Sequence, residues 1–336
     1  MQFGYNDVCL AHDTGKRHPE TADRLRAIRR ALAKRHGAKY VSPYKASEQA
    51  IETVHESSYI QDIKQFCANG GGNWDQDTVA SKQTWDAALA SAGLAQWAAQ
   101  TACEGASGRN TPFALGRPPG HHAVEDDAMG FCYINNAAVA AQTVLNDSSN
   151  TVESALIFDW DVHHGNGTQD IFYTDSDVLY ASTHEEGLYP GTGKISETGT
   201  GGADGTTLNV PLPAGAGDAD YLAVMESLLR PVTKAFDPDV FIVSAGFDAH
   251  RHDPISRMRV STEGYALLTE RVRTLADDVD AALAFVLEGG YGLDTLAEGV
   301  SIVHETFDGR DPMELDDSMQ DSTTPLIQSV KQALKL

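Results

Sequence analysis

The segment Asp159-Trp160-Asp161-Val162-His163-His164-Gly165-Asn166-Gly167 sets two carboxylates, two imidazoles and an amide within nine residues, directly after the apolar run ALIF. If Asp161 and His163 lie at the end of a strand, their i, i+2 spacing turns both side chains to the same side. A carboxylate oxygen and an imidazole nitrogen suit a zinc ion, and Asp248 in SAGFDAH is the candidate third ligand. Two carboxylates in the set also leave iron or another divalent ion open. Alone, such residues are turn formers and helix caps. They gain weight from what lies at the neighbouring strand ends.

After the run TPFAL comes GRPPGHH, which places His121 and His122 side by side behind a Pro-Pro-Gly turn. Histidine titrates near neutrality, so one imidazole can take a proton from an attacking water while its neighbour stabilises developing charge. Asp159 is the candidate for orienting His121, and Asn166 for orienting His122; an acid on one ring and a neutral amide on the other would bias the first toward its charged form. Tyr291, behind Glu288-Gly289-Gly290, offers a hydroxyl that could donate to a carbonyl oxygen as it gains negative charge. A metal, a base and an oxyanion donor equip a site for metal-assisted amide hydrolysis.

Positioning these groups calls for a sheet. Compact β-branched runs occupy residues 154–161, 178–184, 206–213, 239–248 and 282–291, with a further strand at 111–115 and another in the opening QFGYN. Ala- and Leu-rich stretches with 3.6-residue periodicity, such as 86–103, 221–236 and 262–279, read as helices. Strands apolar on both faces, alternating with helices, predict an α/β fold: one domain with a mainly parallel sheet flanked by helices. In such a sheet ligands bind beyond the carboxyl ends of the strands, and four polar clusters on that edge predict one shared site. The catalytic domain is expected to span 1–307, followed at 308–336 by an acidic extension, aperiodic over 308–324, with a short helix from Leu326 packed on the same domain.

Composition narrows the partners. Of 336 residues, 48 are acidic and 25 basic, a formal charge of -23, which argues against direct nucleic-acid binding while leaving cationic substrates favoured. Only 10 residues are Lys, and the spread of acidic charge would keep a protein soluble in a high-salt interior. No run approaches 18 apolar residues and the opening residues lack a secretory pattern, so a cytoplasmic protein without membrane contact is expected. Cys9, Cys67, Cys103 and Cys132 are too far apart for a CxxC pair and read as reduced thiols.

The motifs HPETADRL, RPPGHHA, MGFCYINNAAVAA, DWDVHHGNGTQDIFY, YPGTG, SAGFDAH and EGGYG, over roughly residues 12–300, resemble the histone deacetylase and acetylpolyamine amidohydrolase superfamily, and within it the class II histone deacetylases. The resemblance implies an arginase/deacetylase-like fold and one zinc ion on Asp161, His163 and Asp248. It matches His121 and His122 to the catalytic pair, Tyr291 to the transition-state tyrosine and Asp159 to the partner of the first histidine. Asn166 stands where class II members carry Asn and class I members Asp. By the same resemblance Gly130, Phe131 and Tyr189 line a narrow tunnel and Asp75 stands at its rim. A potassium ion is implied at Asp159, Asp161, His163, Ser182 and Thr183, and a second monovalent site at Phe172, Asp175 and Val178. Arginase-type two-metal sites need Asp-x-His-x-Asp here and Asp-x-Asp later; this chain reads Asp161-Val162-His163-His164-Gly165 and Asp248-Ala249-His250, which favours a mononuclear centre. The expected substrate is acetylated lysine in a protein, with acetylated polyamines or other small acetyl-amides as the alternative. A non-catalytic acetyl-binding module is the remaining reading, and it is disfavoured because every expected group is present.

Overall fold

A computed structural model describes residues 1–313 and 318–336, so the acidic stretch expected at 308–324 lies partly outside the described residues. Ten strands are described: β1 (Gln2–Gly4), β2 (Tyr40–Val41), β3 (Gly71–Asn73), β4 (Val79–Ser81), β5 (Pro112–Ala114), β6 (Ala155–Asp159), β7 (Val178–Glu185), β8 (Thr207–Leu212), β9 (Val240–Ala245) and β10 (Ala282–Leu287). Eight of them form one sheet in the order β2-β1-β5-β10-β9-β6-β7-β8, while β3 and β4 make a separate antiparallel pair. Every pairing in the large sheet is parallel.

Strand alternation divides the core into two layers. Leu156, Phe158, Phe241, Val243 and Phe285 face one apolar cluster, covered by helices Ala22–His36, Thr262–Asp278 and Leu293–Phe307. Ala155, Ile157, Val240, Ile242 and Val286 face the other, with Ser57–Ala68 and Asn136–Leu145. Because both faces are covered, the strands are apolar at successive positions rather than at every second one. The helix Thr84–Cys103 contributes small residues to both clusters, and its alanines allow close approach to Asn136–Leu145.

Three expectations shift in detail. The helix read at 221–236 begins at Asp218 and widens into a π-helical turn over Met225–Leu229 before continuing as Arg230–Phe236. Pro231, which lacks an N–H, stands one residue beyond that wide turn, after Arg230. The closing helix starts at Thr323, earlier than Leu326, because Pro325 falls in its first turn, where the missing N–H has no intrahelical partner to lose. Ile327 and Val330 of that helix join the first core cluster. Finally, β6 ends at Asp159, so Asp161 and His163 lie beyond the strand and strand alternation is not what aligns them.

Candidate active site

The four central neighbours β5, β10, β9 and β6 run in the same direction, so their carboxyl ends deliver four loops to one edge of the sheet. Past β6 the chain bends at once, and Asp159 Oδ1 accepts the Asp161 N–H at 3.1 Å. Asp161 Oδ1 then accepts the His163 N–H at 2.9 Å, and this pair of turns, not the strand pleat, aims both side chains at Asp248. The candidate ligand atoms of Asp161, His163 and Asp248 all lie within 4.8 Å of one another.

The three residues fit a cation. His163 Nδ1 stands 3.0 Å from Asp161 Oδ1 and 3.3 Å from Asp248 Oδ2. The other carboxylate oxygens are committed, Asp161 Oδ2 to the Gly289 N–H at 2.8 Å and Asp248 Oδ1 to the Val162 N–H at 2.9 Å. Asp248 Oδ2 is buried and accepts no well-directed hydrogen bond, an arrangement that a bound cation would satisfy. A Cβ at Gly246 or Gly289 would run into the Asp161 carboxylate, so glycine leaves that carboxylate its room. Among the described residues no other group of three such side chains converges. His164 bonds Thr192 and Gln169, and His250 bonds Thr262, so neither adds a ligand of the arginase type.

His121 and His122 stand over this centre with ring centroids 4.0 Å apart. His121 Nδ1 lies 2.9 Å from Asp159 Oδ2, which also accepts from the Tyr180 hydroxyl at 3.3 Å. Burial disfavours the imidazolium form of His121, but the Asp159 and Asp161 carboxylates outweigh it and raise its pKa to about 10. His122 Nδ1 lies 2.8 Å from Asn166 Oδ1. The Asn166 amide nitrogen donates to the His122 carbonyl and faces Met129 Sδ, so its oxygen is the acceptor and His122 Nδ1 carries the proton. Burial, joined by repulsion from His121 and His163, holds His122 well below its ordinary pKa. A neutral His122 protonated on Nδ1 leaves the Nε2 lone pair free.

Tyr291 follows β10 and its backbone is pinned from the β9 loop: Asp253 Oδ2 accepts the Tyr291 and Gly292 N–H groups at 2.7 and 2.9 Å. The Arg24 guanidinium lies 5.0 Å from the Tyr291 ring centre and bonds the carbonyls of Gly290 and Glu288 at 2.7 and 2.5 Å. In front of Tyr291 stands Phe131, edge to face at 5.8 Å. Phe131 has φ 70°, rare for a large side chain, and its N–H is held by Thr78 Oγ1 at 3.2 Å. Gly130 before it has φ 55°, and a Cβ there would strike the rings of His122 and Tyr189. Tyr189 meets His122 at 5.1 Å with perpendicular rings, so the residues expected to line a tunnel do gather beside the histidine pair.

Asp75, matched to the tunnel rim, has both carboxylate oxygens engaged within its own turn. It accepts the N–H groups of Asp77 and Thr78 and the Thr78 hydroxyl, so it closes its own turn and reaches Phe131 only through Thr78. Of the residues matched to potassium, Asp159 pairs with Ser182 in the β6–β7 register and Thr183 Oγ1 is buried without a partner. The Phe172 carbonyl accepts from Asp175 at 3.1 Å, ahead of β7, which begins at Val178. Sequence reasoning passed over Glu288, Asp253, Arg24, Glu20 and Arg117, all buried around the site. The signal for Glu288 was its place immediately before Gly289-Gly290-Tyr291, and for Glu20, Arg24 and Arg117 their places in HPETADRL and RPPGHHA; Asp253 offered none beyond its type.

Residues 18–307 match the family model of the histone deacetylase domain. The chain is similar to a probable deacetylase of Archaeoglobus fulgidus, 38% identical over 300 residues that cover 86% of this chain and 81% of that one. Histone deacetylase 10, chloroplastic, of Oryza sativa subsp. japonica is 38% identical over 311 residues, 87% of this chain and 70% of its own. A histone deacetylase-like amidohydrolase of Pseudomonas aeruginosa is 36% identical over 311 residues, 86% of this chain and 81% of its own. Among solved structures, the crystal structure of the HDA15 HD domain superposes with a TM-score of 0.90 at 34% identity, covering 99% of this chain and 96% of that one.

Proposed function

Because the chain belongs to the histone deacetylase family, with a class II-like sequence, we propose that it hydrolyses the acetyl amide of acetyl-lysine side chains in proteins, with one zinc ion on Asp161, His163 and Asp248. The observation that carries this reading is the pairing of His121 with Asp159 and His122 with Asn166 beside those three residues. It gives the two histidines opposite protonation states in one pocket.

Bound there, a divalent ion would polarise the acetyl carbonyl and acidify the attacking water. His122 Nε2 takes the proton that the water gives up as its oxygen bonds the carbonyl carbon. His121, kept cationic by Asp159, supplies positive charge close by. The Tyr291 hydroxyl donates to the carbonyl oxygen, a bond that strengthens as negative charge builds. When the carbon–nitrogen bond breaks, the proton on His122 passes to the leaving amine, so the products are acetate and a free lysine side chain. Phe131 and Tyr189 would flank the methylene stem, and the acidic surface would draw substrates with flanking Lys or Arg. A potassium ion beside Asp159 and Ser182 would steady the loop that bears Asp161 and His163.

The test is a competition assay on purified protein at several salt concentrations, with acetyl-lysine peptides against acetylated polyamines and free amine as the readout. Preference for the peptides supports protein deacetylation. Preference for the polyamines moves the substrate to small acetyl-amides, and hydrolysis of neither overturns the enzyme reading.

A further inference from the structure

The turn that presents His121 and His122 is short of internal hydrogen bonds. Pro118 and Pro119 carry no N–H, so Gly120 and His121 supply the first amide protons ahead of the histidine pair. Both residues are buried, and their two N–H groups find the same acceptor, Glu288 Oε2, at 2.7 and 3.2 Å. On the other side, the His121 carbonyl accepts from the N–H groups of Gly167 and Thr168 at 3.0 and 3.2 Å. The backbone of His121 is thus gripped at both ends, and its orientation decides where the side chains of His121 and His122 point.

Glu288 is itself fixed. Its N–H donates to the Ala245 carbonyl at 3.1 Å, extending the β9–β10 ladder by one residue, and its carbonyl accepts from Arg24 at 2.5 Å. The remaining carboxylate oxygen, Oε1, receives only a long bond from Ser244 Oγ at 3.4 Å. Among the described residues no Lys or Arg side chain bonds this carboxylate, although it is fully buried. A carboxylate buried in this way is costly, and what it accomplishes here is to satisfy two buried amides at once.

We infer that Glu288 is a positioning residue, which orients His121 and His122 by accepting the paired N–H groups of Gly120 and His121. This rests on the deacetylase reading above, in which the two histidines do the proton and charge work. Glu288 acts through the backbone of the turn and touches no reacting atom. A carboxamide at this position keeps an acceptor oxygen, whereas a methyl group does not.

The experiment compares wild type, Glu288→Gln and Glu288→Ala by steady-state kinetics on an acetyl-lysine peptide and by NMR of protein labelled with 15N-histidine. Glu288→Ala should lower kcat by about 10- to 100-fold with KM within about twofold, as expected when catalytic groups are misplaced without loss of substrate binding. Glu288→Gln should keep kcat within about threefold of wild type, since an acceptor remains. The His121 amide proton should shift upfield and exchange faster in the Ala variant only. A folded Ala variant with wild-type kcat overturns the inference. So does a Gln variant that loses kcat while its His121 amide stays in place, because charge rather than positioning would then be responsible. If the Ala variant does not fold, the Gln variant decides on those same two readouts, retained kcat with an unmoved amide being the supporting result. If wild type hydrolyses no acetyl amide, the deacetylase reading falls on its own, and the His121 amide still reports whether Glu288 grips the turn.

Discussion

Glu20 lies fully buried between two guanidinium groups. Arg117 bonds both of its carboxylate oxygens, at 2.7 and 2.6 Å, and Arg24 approaches one of them at 3.2 Å. Replacing Glu20 by Gln keeps the shape and removes the negative charge. Two buried cations would then have only neutral oxygens as partners: the one amide oxygen of the new side chain, with the backbone carbonyls of Cys9, His12 and residue 20 for Arg117 and of Glu288 and Gly290 for Arg24. Burial alone would raise the Glu20 pKa, but the Arg117 charge and hydrogen bonds bring it from 4.5 down to about 2. A depression of that size corresponds to roughly 3 kcal/mol of folding stability, which meets the usual cost of about 3–5 kcal/mol for breaking a buried ion pair from one side. Because the folded pKa lies below the unfolded one, this contribution is complete above about pH 5 and is lost as pH falls toward about 2. Urea unfolding of wild type and Glu20→Gln, followed by tryptophan fluorescence at constant salt from about pH 7 to about pH 3, should show a gap of about 3 kcal/mol at neutrality that narrows with acid. Equal stabilities at neutral pH, or a gap that widens on acidification, would refute the reasoning.

Tyr291→Phe removes one hydroxyl and should lower kcat by about 100- to 1,000-fold with little change in thermal midpoint; a near-wild-type rate on a verified acetyl-amide would sink the proposed donor role. Elemental analysis after removal of loosely held ions should give about one divalent metal per chain, and reproducible binding of two in the centre would defeat the mononuclear reading. Given a charge of -23, thermal midpoints should rise with ionic strength in sodium chloride as well as potassium chloride, whereas full stability in dilute buffer would reject a salt-adapted surface.

Much of the arrangement was legible because the physics is local to each strand end. Runs such as VFIV and ALIF are apolar at successive positions only when both faces are covered, and that alone implies a parallel sheet whose loops meet at one edge. His121, His122, Asp161, His163, Asp248 and Tyr291 followed from it. What stayed hidden was non-local or made by the backbone. Glu20 and Arg24 stand in HPETADRL and Arg117 in RPPGHHA, nearly a hundred residues on, and only the fold brings Arg117 onto Glu20 and Arg24 onto the carbonyls around Gly289. The turn that engages both Asp75 oxygens stayed hidden too, because it has no signature beyond Asp and Thr spaced three apart. Asp161 and His163 converge for a reason other than the one the i, i+2 spacing offered, since the strand stops short of them.

The position of β10 has a consequence for how the molecule can come into being. It is the last strand in sequence among the described residues, yet it lies between β5 and β9 and pairs with both. During synthesis the early strands β1, β2 and β5 emerge together, but Phe113 must await Phe285 for its partner on the inner side. Until then β5 presents an open, apolar edge, and the half of the sheet from β6 to β9 presents another. The two halves are brought into register only when β10 slots between them. Glu288 and Tyr291 follow directly on that same strand, in the loop it delivers to the sheet edge, so assembly of the catalytic edge and closure of the sheet are one event, and a nascent chain interrupted before it would carry two unpaired strand edges at the gap and no working centre.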